Sequence, residues 1–177
     1  MYYATTYLSP VGKLTLASDG SNLIGLWNEG QKYHGDTILM TEKKSLPVFN
    51  EAKKWLDRYF AGEKPSVSEL PLALIGSEFR QDVWNLLCEI PYGDVITYGD
   101  IAKKIANKKS KNTMSCQAVG GAVGHNPISI IIPCHRVVGS NGSLTGYAGG
   151  IKIKIKLLEL EGADMSKLFV PKKGAAL

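Results

Sequence analysis

Cysteine is scarce in this 177-residue chain: Cys88, Cys116 and Cys134 are the only three. They are scattered and odd in number, which excludes a disulfide framework and fits a reducing, intracellular compartment. None precedes Cys88, and no His/Cys set has zinc-ligand spacing, so no metal is expected. Long apolar runs are also missing. Nothing approaches the roughly 18 residues needed to span a bilayer, and the N-terminus lacks the basic-then-apolar order of a signal peptide. The expected location is therefore cytoplasmic, or nuclear in a eukaryote, with no membrane partner. The third scarcity is local. Residues 101–158 contain no Asp or Glu against nine Lys or Arg. The first 75 residues balance eight basic against eight acidic side chains, so the whole net charge of +5 arises after Ile75. A solvated lysine face is the plainer explanation, but so long a stretch without acids favours a polyanionic partner, because each phosphate neutralised releases condensed counterions.

The patterning predicts an α/β (α+β) chain. Residues 1–75 read as a small supporting domain, 76–170 as a mainly helical second domain and 171–177 as a tail. In the first domain Tyr2–Leu8, Lys13–Ser18 and Leu23–Trp27 are strand-like runs separated by Ser9-Pro10-Val11-Gly12 and Asp19-Gly20-Ser21-Asn22 turns. They predict a three-stranded antiparallel sheet. Gln31–Leu46 is polar loop with room for one strand at Asp36–Met40. Pro47 opens a helix over Val48–Phe60, with Phe49, Ala52, Leu56, Tyr59 and Phe60 on one face and Gly62 ending it. No chemistry is evident in this half.

In the second domain Ser77 caps a helix over Glu78–Glu89. Thr97 caps another over Tyr98–Ala106, and Thr113 or Ser115 opens one reaching about Val123. The last two make a helix-turn-helix candidate. Its second helix carries Ala118, Gly120, Gly121 and Ala122. Each glycine weakens a helix by roughly 1 kcal/mol relative to alanine, which close approach to another surface would offset, whether a helix or a nucleic acid. Gly139–Gly142 reads as a hairpin tip, hence a wing. Ile151–Glu161 fits a helix, and Phe169–Leu177 a tail.

Ile130-Ile131-Ile132 reads as a buried strand end, stopped by Pro133, which has no N–H for a ladder. Cys134 and His135 follow immediately. A thiolate at neutral pH needs a base or a positive charge beside it, and an adjacent imidazole can supply that. A bare Cys-His pair is nonetheless more often a small buried hydrophobe beside an unrelated histidine.

The wider stretch changes that balance. Pro133-Cys134-His135-Arg136-Val137 is preceded by Ala118-Val119-Gly120-Gly121-Ala122 and Asn126-Pro127. It is followed by Tyr147-Ala148-Gly149-Gly150 and Leu157-Leu158-Glu159-Leu160-Glu161-Gly162. Together these segments closely resemble the O6-alkylguanine-DNA alkyltransferases over residues 76–162. The resemblance implies a winged-helix-like DNA-binding and catalytic domain, no cofactor and a monomer acting on double-stranded DNA through the minor groove, with the alkylated guanine flipped out. The implied reaction is a single, irreversible transfer of an alkyl group from O6-alkylguanine, and from O4-alkylthymine, to the protein's own cysteine.

On that resemblance Cys134 is the acceptor, and His135 withdraws its proton through a water. Glu161 orients the imidazole. Asn126 is the hinge that ties the recognition helix to the cysteine strand. Tyr98 rotates a phosphate and donates a proton to the leaving base. Tyr147, Val137 and Ala148 line the base pocket, and Thr97, Gln117, Ala118, Gly120, Gly121 and Arg136 face DNA. Two positions depart from the family pattern. Gln117 stands where relatives carry an arginine that fills the gap left by the flipped base, which implies weaker binding or slower flipping. Ala148 replaces a serine that helps hold O6. Three other readings stay open. A non-catalytic lesion sensor is disfavoured by the intact Cys134. A winged-helix regulator leaves Pro-Cys-His-Arg unexplained, and a hydrolytic Cys-His enzyme would need a labile intermediate that a thioether is not.

Overall fold

The computed structural model describes residues 1–31, 40–42 and 45–172. β1 (Tyr2–Ser9), β2 (Gly12–Ser18) and β3 (Leu23–Asn28) form the expected antiparallel meander. A short β4 (Met40–Glu42) joins β1 in parallel, giving the order β3-β2-β1-β4. Of the strand expected over Asp36–Met40, only Met40 lies among the described residues, and there it opens β4. α1 (Pro47–Phe60) begins with proline, whose missing N–H costs nothing in a first turn. It buries Val48, Phe49, Ala52, Trp55, Leu56 and Tyr59 against the sheet. Each large side chain so buried stabilises by roughly 1.5–3 kcal/mol, which outweighs the weak helix propensity of its β-branched and aromatic members.

The helices of the second half start where local chemistry directs. The Ser77, Thr97 and Ser115 hydroxyls accept from the N–H groups of Arg80, Asp100 and Ala118. They cap α2 (Glu78–Leu87), α3 (Tyr98–Lys108) and α4 (Cys116–Gly124). Asp100 returns a bond to the Thr97 N–H, completing a capping box. The Trp84 indole donates to the Ala122 carbonyl at 2.8 Å, fastening α2 to α4. α5 (Ile151–Leu160) is helical despite its alternating Ile and Lys.

Three expectations need correction. Ile130–Ile132 is no strand. Asn126 draws the chain into a compact turn by donating to the Ile132 carbonyl at 2.8 Å and accepting from the Ile128 N–H at 3.0 Å. Ile130 sits at φ 70, a strained position for a β-branched residue. The turn at Gly139–Gly142 joins no hairpin: β6 (Val137–Val138) pairs instead in parallel with β5 (Ile96–Thr97). Phe169 is not free tail, for it exchanges backbone bonds with Leu144 and Gly142. Only glycine fits at 142, where a Cβ would lie 2.0 Å from the Lys167 carbonyl.

One apolar cluster runs through both halves. Leu14, Leu16, Leu26, Phe49 and Leu56 join Val83, Ile101, Ile105, Val119, Ile128 and Ile132 in it. Backbone bonds cross the same seam, from the Leu26 N–H to Pro127 and from the Ser129 N–H to Leu26.

Candidate active site and DNA-facing surface

Pro133 leads into a single 3-10 turn over Cys134–Arg136, all three buried. Lys154 acts electrostatically on both Cys134 and His135. Burial pushes the Cys134 thiol up, while the Asn126 amide, the Lys154 ammonium and the local N–H groups draw it back. The resting side chain is therefore a thiol that needs a base. His135 can be that base. Its Nε2 lies 2.5 Å from Glu161 Oε2. Burial keeps the ring neutral despite that carboxylate, whose pull is opposed by Arg136 and Lys154. Burial also opposes ionisation of Glu161, but the bonds to His135 and Arg136 outweigh it and hold the carboxyl far below its usual range. An ionised carboxylate only accepts, so His135 Nε2 carries the hydrogen. Nδ1, which has no hydrogen-bond partner among the described residues, is left as the proton acceptor.

Glu161 is the C-cap of α5 and is met from three elements. Arg136 grips it with Nε at 2.7 Å and Nη2 at 3.2 Å while Nη1 donates to the Ile90 carbonyl. Gly93 donates its N–H to Oε1 at 3.1 Å. Its φ of 87 and the 2.9 Å that a Cβ would leave to the Glu161 carbonyl demand glycine there. The Tyr59 hydroxyl on α1 donates to Oε2 at 2.5 Å.

Of the residues expected around a flipped base, Tyr98 and Tyr147 lie within electrostatic reach of Cys134. Burial, and then Cys134 once ionised, push the Tyr98 phenol up to about 12. Its hydroxyl donates to the Thr145 carbonyl at 3.1 Å. Tyr147 is buried, near Cys134 and Ser129. Ala148 is half-buried in the same loop. Val137 is fully buried, and its carbonyl accepts from Lys154 Nζ, which also donates to Thr145. Among the described residues no group of three or more His, Cys, Asp or Glu side chains is placed to hold a metal ion.

Two residues escaped sequence reading. Lys154 carries no role in the sequence reading of the Ile151–Glu161 helix, although it shares the helical face of Ile151, Ile155 and Leu158, a usable signal. Tyr59 was read only as core. Arg136 is corrected in the other direction: its guanidinium is spent on Glu161 and Ile90, so it is withdrawn from the DNA-facing set.

On the outer surface α4 presents Gln117, Ala118 and Gly121 to solvent, with Gly120 half-exposed and Thr97 half-exposed at the start of α3. A Cβ at Gly120 or Gly121 would meet nothing within 4 Å among the described residues, so none of these packs against the two glycines. Converting both to alanine is expected to stabilise the protein by about 1–2 kcal/mol in denaturant titration while weakening duplex binding in an anisotropy titration. The acid-free stretch is not acid-free in space, because Asp82 pairs with Lys108 and Lys109 at 2.7 and 3.3 Å.

Comparison with known proteins gives these features a family. Residues 1–74 match the ribonuclease-like domain, and residues 78–163 the DNA-binding domain, of 6-O-methylguanine DNA methyltransferase. A methylated-DNA–protein-cysteine methyltransferase of Methanosarcina acetivorans is 47% identical over 173 residues, covering 92% of this chain and 99% of its own. One from Haemophilus influenzae is 44% identical over 159 residues, covering 90% and 86%. A crystal structure of Mycobacterium tuberculosis OGT in complex with DNA superposes with a TM-score of 0.79 at 44% identity, covering 91% of this chain and 92% of that one. With both domains matched in chain order and relatives above 40% identity over most of its length, this chain belongs to the 6-O-methylguanine DNA methyltransferase family.

Proposed function

We propose that the protein repairs DNA by moving an alkyl group from guanine O6, and from thymine O4, onto its own Cys134, once per molecule. The observation that carries this reading is the buried Cys134 beside a neutral His135 whose Nε2 is locked on Glu161. His135 Nδ1 accepts the thiol proton through an intervening water, and the imidazolium is stabilised by Glu161. The sulfur attacks the alkyl carbon, the C–O bond breaks and its electrons stay on the base. Tyr98, held at the pocket mouth by Thr145, supplies a proton to the departing base. Tyr147, Val137 and Ala148 wall the pocket, and Asn126 fixes the turn that aims Cys134. Glycine-lined α4 enters the minor groove, with Gln117 beside the vacated stack. The protein acts as a monomer in the cytoplasm, where its free thiols stay reduced. No helix among the described residues is long and apolar enough to cross a membrane.

Incubation with a duplex carrying one O6-methylguanine, followed by intact mass and peptide mapping, tests the reading. One methyl on Cys134, capped at one per protein, is expected. A lesion-dependent gel shift with no mass gain would replace repair by sensing. Gln117→Arg is expected to tighten duplex binding and speed single-turnover transfer, because arginine adds charge and bulk at the gap. Unchanged values for both would show that Gln117 fills the role unaided.

A further inference from the structure

The geometry points to Tyr59, on the first domain's α1, as a positioning residue of the Cys134–His135–Glu161 relay. This rests on the alkyl-transfer reading above. Tyr59 is 1% exposed, and its hydroxyl donates to Glu161 Oε2 across 102 residues of chain. That oxygen is the one His135 Nε2 uses. Arg136 Nη2 reaches it more weakly at 3.2 Å, and Oε1 is served by Arg136 Nε and the Gly93 N–H. The phenol and the imidazole therefore share the lone pairs of one buried oxygen, where hydrogen bonds are strong and polarise one another.

Two consequences follow from elementary electrostatics. The phenol fixes where Oε2 sits, and so the plane of the His135 ring. It also draws electron density from Oε2, which lowers the proton affinity of His135. The aromatic surroundings hold the phenol in register. Its ring stacks on Trp55 at 5.6 Å and meets Phe60 and Tyr92 edge-on at 5.1 and 5.9 Å. The charged and titratable groups around the relay are few. Tyr59 faces Glu161 from α1. Tyr92 faces it from the loop after α2, with Lys64 Nζ 5.5 Å and the Arg136 guanidinium 5.8 Å from its ring. His135 and Arg136 come from the 3-10 turn, and Lys154 acts from α5. Tyr59 alone among them is a neutral donor from the first domain, so the domain that carries none of the family's chemical motif sets the basicity of the catalytic imidazole.

Tyr59→Phe removes one oxygen and keeps the ring contacts, while Glu161 retains His135, Arg136 and Gly93. The experiment is the pH profile of single-turnover methyl transfer, read as S-methylated Cys134 peptide, for wild type, Tyr59→Phe and the packing control Phe49→Leu, a fully buried residue of α1. For Tyr59→Phe the acid-limb midpoint is expected to rise by about half a pH unit, roughly threefold in proton affinity. Phe49→Leu is expected to lower the melting temperature without moving the midpoint. A Tyr59→Phe midpoint equal to wild type, with only a lowered melting temperature, overturns the proposal and makes Tyr59 a packing residue. Absence of S-methylated Cys134 in wild type itself would instead reject the alkyl-transfer reading.

Discussion

Glu161→Gln is expected to slow methyl transfer by about 10²–10⁴-fold, the range in which a positioned general base and its orienting carboxylate operate. It should also destabilise the fold. The substitution strips a buried cation, Arg136, of its counter-charge, and breaking one partner from a buried pair costs about 3–5 kcal/mol. For a chain of this length that is a fall of roughly 6–20 °C in melting temperature. The sign of the pH dependence follows from the direction of the carboxyl's shift. In the folded protein Glu161 is held well below its usual value of 4.5. Its contribution is therefore fully present above pH 4.5 and is lost as the pH falls toward the folded value. Wild-type stability should decline on that acid limb, and the Glu161→Gln limb should be flatter. Asp19 and Asp164, which are exposed, and Asp82, which is partly buried, are also held low but are common to both proteins, so they cancel in the difference curve and leave Glu161 with its partner His135. A melting temperature unchanged by the substitution would mean that Arg136 finds other partners.

Cys134→Ala is expected to abolish methyl uptake while leaving affinity for the lesion duplex within about threefold, well under the tenfold that 1.4 kcal/mol would produce. The thiol is 5% exposed and sits inside the core cluster, so its loss costs about 1 kcal/mol of stability, close to that of one buried methylene. The other thiols give the experiment its discrimination. Cys116 is exposed at the start of α4, and burial pushes the Cys88 thiol up to about 11. Neither has an imidazole locked on a carboxylate beside it. Mass mapping that finds the methyl on Cys116 or Cys88 in this variant would show that the relay is not what activates sulfur.

What could be read from the chain was what short-range chemistry decides. Ser77, Thr97 and Ser115 cap helices through bonds to residues three positions on, and such signals survive in a linear string. The meander was legible because turn residues punctuate apolar alternation. Ile130–Ile132 misled because an apolar run reports burial and not period. The strained turn there is imposed by Asn126, whose amide bonds are read only once the chain is folded. Arg136 and Lys154 were hidden for a related reason. Charged residues are seldom fully buried unless paired, and their partners lie 25 residues away at Glu161 and 17 away at Val137. Tyr59 is the extreme case, an aromatic that looked like ordinary core until its hydroxyl met a carboxylate 102 residues on.

That last separation has a consequence for the order in which the molecule comes into being. During synthesis the first half emerges and begins to fold before the second. Glu161 follows as the C-cap of α5, and only then can the 102-residue loop from Tyr59 close. On the proposed mechanism, a chain made only as far as Cys134 lacks its completed relay, and the sulfur gains its reactivity only after Glu161 has been added and packed against His135.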